Sequence, residues 1–424
     1  MRNEKNERGV RQKKSGAIFV HYFSNSGRMI CLKKSIIFIY FNQTIFRKID
    51  RYIMILPYSE ELNIECLGQL FANTSECYKF FWFKAIVGKV TEGKTVLAYE
   101  ELVDEMIADA WYMVTEYHLN LGPKDTLQML VEYIKNTHPE IKSCEKKEKL
   151  IEFLKNTTDK EIKSKKLTLT LNVPYRLQAP FIENVKGKEW NTGNAKLIER
   201  INREKRLMYY FEALNGLSTR IIIQEDWARY IVKNQEIIRG WLEYNMILYL
   251  QKRNPNVPGI ADKLYPPQTK MLAKIQKYWR MIMTVEPVYE IYDGQLLTEK
   301  NISIDHFVPW SYVAHDEMWN LSPTTKPINS SKSNSLPNWD KYFAALAKQE
   351  YHTIQLWNQY PKIKDEFDKC AKEHIYSDKI RNGLYRSDIG LEEFAGELQS
   401  IILPIYQSAE NCGFSKNWVY RKDA

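Results

Sequence analysis

Three side chains in the second half of the chain have the chemistry needed for metal-assisted hydrolysis. Asp305 and His306 are adjacent, and Asn329 follows in a later polar segment. A hard cation such as Mg²⁺ prefers oxygen ligands, which a carboxylate and an amide carbonyl supply. A neutral imidazole, whose ordinary pKa is about 6.5, is able to take a proton from water beside that cation. Together these residues suggest phosphodiester hydrolysis, which needs a base for water and a cation at the leaving oxygen.

The elements that must position these side chains are a strand, a turn and a helix. Asp305 and His306 lie at the end of a predicted strand that Pro309 terminates. Adjacent side chains leave opposite faces of a strand, so the backbone must bend there if both are to face one site. Asp293-Gly294 is a turn signal with apolar residues on both sides. An Asp-His pair alone is a weak signal, because the chain has seven histidines and a histidine more often has a structural role.

The spacing of the surrounding residues makes the pattern much more specific. The segment from Asp305 to Ser311 reads D-H-F-V-P-W-S, Asn320 follows, and the segment from Asn329 to Ser333 reads N-S-S-K-S. This pattern resembles the HNH endonuclease family, and in particular the HNH domain of RNA-guided CRISPR nucleases. The resemblance extends from Pro287 to Pro337 and slightly beyond. It implies a ββα-metal fold, in which two strands and a helix surround a metal ion.

The resemblance also implies a role for each of five residues. His306 would be the general base, and Asp305 and Asn329 would bind Mg²⁺ or Mn²⁺. Asn320 would fix the intervening loop to the strand through its side chain. Lys332 is a candidate phosphate contact, and the alternative is a lysine that is simply solvated on a helix.

The sequence departs from many members of this family, which hold a structural zinc with two C-x-x-C pairs. Tyr289 and Tyr292 stand at the positions of the first pair, and Thr325 and Ile328 at those of the second. No structural zinc is therefore expected. The segment from Pro287 to Pro337, called the finger below, must instead be held by packing. The candidate packing residues are Tyr292, Leu297, Phe307 and Trp319.

The basic charge of the chain is confined to its first residues. Residues 1–53 contain twelve Lys/Arg and three Asp/Glu, which accounts for the whole net charge of +9. Met54 follows this segment, so we interpret residues 1–53 as a doubtful extension that precedes the natural start. The alternative is a basic arm that contacts phosphates. Under the first interpretation, bulk charge gives no independent indication of a nucleic-acid partner.

The composition is that of a globular protein, with 44% hydrophobic and 27% charged residues. The patterning predicts an α+β fold that is mainly α-helical, with an embedded ββα-metal nuclease domain. The predicted division is a helical N-terminal domain at 54–260, the nuclease domain at 261–345, and a helical C-terminal region at 346–424.

Local patterns within these regions give further expectations. Leu167–Val173 alternates between apolar and polar residues and predicts a strand, as does the shorter run Thr219–Ile223. Helices are predicted at 195–212, 225–252 and 268–283.

Several residues outside the motif have a structural and a functional interpretation. The basic cluster at 196–206 either follows a phosphate backbone or is an ordinary solvated helix face, because two glutamates are interleaved with it. Trp227, Trp241 and Trp279 are better interpreted as core residues than as base-stacking platforms. His315 is a candidate second ligand, and the favoured alternative is an exposed loop histidine.

These observations predict a metal-dependent endonuclease that hydrolyses DNA, with a role in prokaryotic defence or restriction. A protein partner from an operon-encoded defence system is an associated expectation. The alternatives are an RNA-directed nuclease and an inactive nucleic-acid-binding or structural module. No membrane association is expected, because no apolar run is long enough. A cytoplasmic location is expected, because six scattered cysteines in a chain of this length indicate a reducing compartment.

Overall fold

The computed structural model describes residues 56–267 and 272–422, so the doubtful extension at 1–53 lies outside the described residues. Helices form most of this part of the chain, together with two small antiparallel sheets. The predicted α+β, mainly helical class is therefore confirmed. From Leu56 onwards the chain forms one compact unit, and the boundaries expected near 260 and 345 stay predictions. Within the described ranges, no helix combines the length and the apolar character that a bilayer crossing needs.

The first half of the described chain is largely a helical assembly. Its helices are α1 (Ile64–Gly68), α2 (Tyr78–Thr91), α3 (Tyr99–Thr115), α4 (Thr126–Thr137), α5 (Lys147–Asn156), α6 (Lys160–Leu169), α7 (Val173–Arg176), α8 (Asn194–Ile201), α9 (Glu225–Lys233) and α10 (Gln235–Arg253). Helix α2 contacts α3, α9 and α10, and its segment from Phe80 to Phe83 is entirely buried. A helix that is apolar on most sides is suited to such a central position.

A three-stranded antiparallel sheet joins this assembly. It consists of β1 (Val96–Ala98), β2 (Tyr209–Phe211) and β3 (Arg220–Ile223), in the order β1-β3-β2. Ile221 and Ile223 are buried whereas Ile222 is exposed, as expected for side chains that alternate across a strand. The β-like run predicted at 219–223 is confirmed, and so is the helical segment at 225–252, which divides into two helices at Asn234.

Two local predictions are wrong. Leu167–Val173 is not a strand, because α6 continues to Leu169 and α7 begins at Val173. The Asp159 side chain caps α6 by accepting hydrogen bonds from the first turn, and Ile162 is buried on it at helical spacing from Leu169. The helix predicted at 195–212 ends at Ile201, and β2 follows. In both segments tertiary packing outweighs the local pattern.

The second half of the described chain contains the finger and its flanking helices. Its elements are α11 (Ala273–Met283), β4 (Ile302–His306), α12 (Trp310–Val313), β5 (Leu321–Thr325), α13 (Lys326–Lys332), α14 (Trp339–Gln359), α15 (Pro361–His374), α16 (Asp378–Leu384) and α17 (Leu391–Asn411). The helix predicted at 268–283 is present from Ala273, and residues 268–271 lie outside the described part. Helix α15 packs against both α11 and α14.

The finger is attached to the helical assembly by polar contacts. The Tyr312 hydroxyl donates to the backbone oxygen of Asn256 at 2.6 Å. The Asn334 amide donates to the Glu116 carboxylate, and the same residue accepts from the Ser311 hydroxyl at 2.7 Å. The segment after β4 is therefore anchored to the chain just beyond α10, and the segment after α13 to the end of α3.

Candidate active site

A hairpin leads into the site. Asp293-Gly294 forms the predicted turn, with Gly294 at a φ of +75°, where a side chain is disfavoured. The buried Glu290 carboxylate accepts hydrogen bonds from the backbone N–H groups of Tyr292 and Gly294, each at 2.9 Å. These bonds fix the hairpin that carries Tyr292, whose hydroxyl contacts Asp305 on the strand that follows.

Strands β4 and β5 form the two-stranded sheet of the finger. They pair antiparallel, with Asp305 opposite Ser322 and His306 opposite Leu321. Both candidate catalytic residues are buried, with 3% and 4% of their surfaces exposed. Because they lie at the end of the strand and are adjacent, their side chains meet different partners.

The Asp305 carboxylate is held by two donors. The Tyr292 hydroxyl donates to Oδ2 at 2.5 Å, and the Lys332 ammonium lies 3.1 Å from Oδ1. Burial, with the adjacent carboxylate, raises the pKa of Tyr292 well above its ordinary value, so this hydroxyl stays protonated and donates. The contacts fix the carboxylate at one position at the end of β4.

Lys332 corrects an expectation of the sequence. Its side chain is fully buried, so a solvated helix lysine is wrong at this position. The ammonium also donates to the backbone oxygen of His306 at 2.6 Å. A buried charge requires such compensation, and Asp305 and this carbonyl provide it. Buried here, the ammonium is not presented to a phosphate, so the phosphate-contact role receives no support from this geometry.

His306 contacts an acidic residue from the loop after β4. Its Nε2 lies 2.8 Å from Asp316 Oδ1. Asp316 is in turn contacted by His374, whose Nδ1 lies 2.8 Å from the Asp316 backbone oxygen. Sequence reasoning did not single out Asp316 or His374. An acidic residue ten positions after the histidine was a weak signal, and nothing local pointed to His374, which lies at the end of α15.

Asn329 is hydrogen-bonded to β4, the strand that carries Asp305 and His306. Its Nδ2 donates to the Ser303 hydroxyl at 3.0 Å and to the Ile304 backbone oxygen at 2.9 Å. A carbonyl only accepts, so the atom facing Ile304 must be the amide nitrogen. The amide oxygen is then directed elsewhere, and it belongs to a side chain anchored one residue from Asp305.

Asn320 is fully buried, and its side chain holds the backbone of Val308, two residues after His306. Its Oδ1 accepts from the Val308 N–H at 2.7 Å, and its Nδ2 donates to the Val308 oxygen at 2.8 Å. These are the contacts expected of a residue that ties the intervening loop to the strand. Its effect on folding stays a prediction.

His315 is half-buried rather than exposed, so the expected exposed loop histidine is wrong. Its ring lies at the edge of Trp319, with centroids 5.4 Å apart. Burial, with His306 nearby, lowers the pKa of His315 to about 4. The ring is therefore neutral at neutral pH and packs as an aromatic group.

The donor set fits a hard divalent cation. Asp305 supplies an anionic oxygen and Asn329 a neutral one, the ligands that Mg²⁺ and Mn²⁺ prefer. Among the described residues, no group of three or more His, Cys, Asp or Glu side chains is arranged to hold a metal. A site of this kind therefore depends on the amide and on water or substrate oxygens. The side chains expected to hold the finger by packing are all buried: Tyr292, Leu297, Phe307 and Trp319.

Comparison with known protein families gives a match that is confined to the finger. Comparison with curated proteins and with solved structures gives no significant match. Residues 289–338, from the hairpin to the end of the segment after α13, match the family model described as HNH endonuclease.

Proposed function

We propose that this protein is a metal-dependent endonuclease that hydrolyses phosphodiester bonds in DNA. The observation that carries the proposal is that Asp305 and His306 end β4 and that the Asn329 amide is bonded to the preceding residue, Ile304, inside the segment that matches the HNH endonuclease family. Asp305 and Asn329 are the residues that would hold Mg²⁺ or Mn²⁺. Bound there, the cation would supply charge stabilisation for the leaving oxygen.

The chain's own residues account for the remaining chemistry. His306 takes a proton from the attacking water, whose oxygen forms a bond to phosphorus. The bond from phosphorus to the 3′ oxygen breaks, and that oxygen takes up a proton from water. The products are a 5′-phosphate and a 3′-hydroxyl. Tyr292 holds the Asp305 carboxylate in one orientation, and Asn320 fixes the backbone that carries His306.

The biological setting proposed for this activity is prokaryotic defence or restriction in the cytoplasm, with an operon-encoded partner. Its support is the association of HNH nucleases with such systems.

A second candidate function is favoured by one observation. The Lys332 ammonium contacts the carboxylate that a metal ion would use. A finger that retains this ion pair permanently would bind nucleic acid without cutting it. Metal binding therefore separates the two candidates, because only the nuclease must admit a cation at Asp305.

The test is cleavage of supercoiled plasmid and of RNA of the same sequence, each alone and with a matched guide RNA. We expect plasmid cleavage in Mg²⁺ or Mn²⁺, none in EDTA, and ends that DNA ligase rejoins. Cleavage that persists in EDTA contradicts the metal. Cleavage of the RNA but not of the plasmid would show that RNA, rather than DNA, is the substrate. Binding of nucleic acid without cleavage in every condition supports the second candidate. Stoichiometric zinc in metal analysis would contradict the absence of a structural zinc.

A further inference from the structure

We propose that Asp316 and His374 are positioning residues for the general base, so that the C-terminal helical region completes the nuclease site. The inference rests on the proposed function of His306. It deepens that proposal by naming the residues that orient the imidazole, one of which lies outside the matched segment 289–338.

The first link is the contact between His306 and Asp316. The two atoms, Nε2 and Oδ1, are 2.8 Å apart, and the side chains are 4% and 14% exposed. A carboxylate oxygen only accepts, so the neutral imidazole must carry its proton on Nε2. That tautomer places the ring's lone pair on Nδ1. Asp316 thereby fixes both the ring plane and the nitrogen that is able to accept a proton from water.

The second link holds Asp316 itself. His374 is 3% exposed, and its Nδ1 donates to the Asp316 backbone oxygen at 2.8 Å. The backbone of Asp316 is thus bonded to the last residue of α15. Among the described residues no strand pairs with this part of the loop, so the bond from His374 supplies order that a sheet would otherwise give.

The position of His374 gives the C-terminal region a role in the chemistry. Helix α15 packs on α11 and α14, and its last residue is His374. His374 at the end of this packed helix holds the backbone of Asp316, and the Asp316 carboxylate holds the His306 imidazole. A misplacement of a catalytic group by about 1 Å is able to cost on the order of a hundredfold in rate.

The test of the second link uses two substitutions of the same residue. In His374→Asn the amide nitrogen takes the place of Nδ1 and keeps the bond to the Asp316 oxygen. In His374→Gln it takes the place of Nε2 and loses that bond. We expect His374→Asn to retain cleavage and His374→Gln to lose at least about tenfold in kcat, with little change in KM. Glu373→Gln, an exposed neighbour paired with Lys274, is the control for changes at this helix end.

The test of the first link is Asp316→Asn, with ¹⁵N NMR of histidine-labelled full-length protein. The His306 signals are assigned by their loss in His306→Gln. In the wild type we expect the proton on Nε2. In Asp316→Asn we expect a mixture of tautomers and a kcat loss of at least about tenfold, within the 10²–10⁴-fold that a general base contributes.

The outcomes separate the inference from the function on which it rests. If His306→Gln abolishes cleavage while Asp316→Asn and His374→Gln keep wild-type kcat and the wild-type tautomer, the inference is wrong and the nuclease stands. If His306→Gln cleaves as well as the wild type, the function is wrong. If the wild type itself does not cleave DNA, the NMR measurement still decides, because an unchanged His306 tautomer in Asp316→Asn overturns the positioning role.

Discussion

Two buried ion pairs of the same composition lie in different regions of the molecule. In the finger, Lys332 lies 3.1 Å from Asp305, with side chains 0% and 3% exposed. In the helical assembly, Lys166 lies 2.6 Å from Asp104, with side chains 0% and 1% exposed. Each ammonium also donates to a backbone oxygen, of His306 in the finger and of Leu154 in the helices.

The surroundings of the two carboxylates differ. Asp104 lies within α3, and its neighbours are the helices that bury it. Burial raises the pKa of Asp104 to about 6, against the lowering effect of Lys166. Asp305 lies at the end of a strand, next to His306, and accepts a hydrogen bond from the Tyr292 hydroxyl. The amide of Asn329 is bonded to the residue that precedes Asp305.

The difference shows that a buried Asp–Lys pair does not by itself indicate a functional site. The finger pair is distinguished by the imidazole of the next residue, His306, and by the Asn329 amide one residue away. The helical pair has instead a second carboxylate, Glu100, 3.8 Å from the Lys166 ammonium. Lys332 is also attached to the short helix α13, whereas Lys166 is attached to α6, which packs on α3 and α4. We therefore expect the two pairs to respond differently to metal.

The largest expected difference concerns cleavage by the aspartate variants. Asp305→Asn weakens the metal ligand, and we expect at least a roughly hundredfold loss of cleavage, because even outer-shell changes cost about 10–100-fold. Excess Mn²⁺ should restore part of it. Asp104→Asn should keep the wild-type rate once corrected for folded protein. Single-turnover cleavage of plasmid measures both, and equal losses would remove the distinction between the pairs.

The lysine variants compare the stability of the pairs. Lys332→Met and Lys166→Met each leave a buried carboxylate unpaired, and we expect losses of about 3–5 kcal/mol in the free energy of unfolding. A cation at Asp305 should offset the loss in Lys332→Met, by about 2.7 kcal/mol at a hundred times the dissociation constant. Urea unfolding in EDTA and in Mg²⁺ measures this. A metal response of the same size in Lys166→Met would contradict the account.

The two regions also contain a matched pair of asparagine clamps. Asn320 brackets the N–H and C=O of Val308, and Asn202 brackets those of Phe211 in the helical assembly, at 3.0 and 2.7 Å. We expect Asn320→Ala to cost about 1–3 kcal/mol, because buried groups lose their partners, and half-buried Asn202 to cost less. Urea unfolding ranks them. Asn320→Ala should also slow cleavage in the folded protein, which Asn202→Ala should not.

The smallest expected effect is the pH dependence of His315. Its pKa is lowered to about 4 by burial, whereas the unfolded chain takes up the proton near pH 6.5. Stability is therefore lost as the pH falls from about 6.5 to about 4, by roughly 1–3 kcal/mol. His315→Gln should remove this part of the slope. Urea unfolding between pH 4.5 and 7 measures this slope. Identical slopes of stability against pH in the wild type and in His315→Gln would show that folding does not lower the pKa of His315.

Sequence reasoning reached the parts of the site that are encoded locally. The Asp293-Gly294 turn and the strand ending at His306 follow from short-range patterns, and both are present. Lys332 was misjudged, because a lysine on a polar helix gives no local sign of burial. Asp316 and His374 were missed, since their role depends on a contact between residues 58 positions apart.

The same limit explains the error at Leu167–Val173. The alternation there was genuine, but the cap from Asp159 and the burial of Ile162 and Leu169 on one helical face decided the structure. Local pattern and tertiary packing disagreed, and packing determined the outcome. In the finger, the strand that ends at His306 followed from the local pattern, whereas the second strand and the helix were implied by the family resemblance.

The most direct test of the central claim is cleavage by His306→Ala. Because His306 is the proposed general base, we expect the variant to fold, to bind DNA and the cation like the wild type, and to lose about 10²–10⁴-fold in the single-turnover rate. Circular dichroism, DNA binding and metal titration of the same preparation establish the first three properties. If folded His306→Ala cleaves plasmid at nearly the wild-type rate in Mg²⁺, the HNH assignment of this site is wrong.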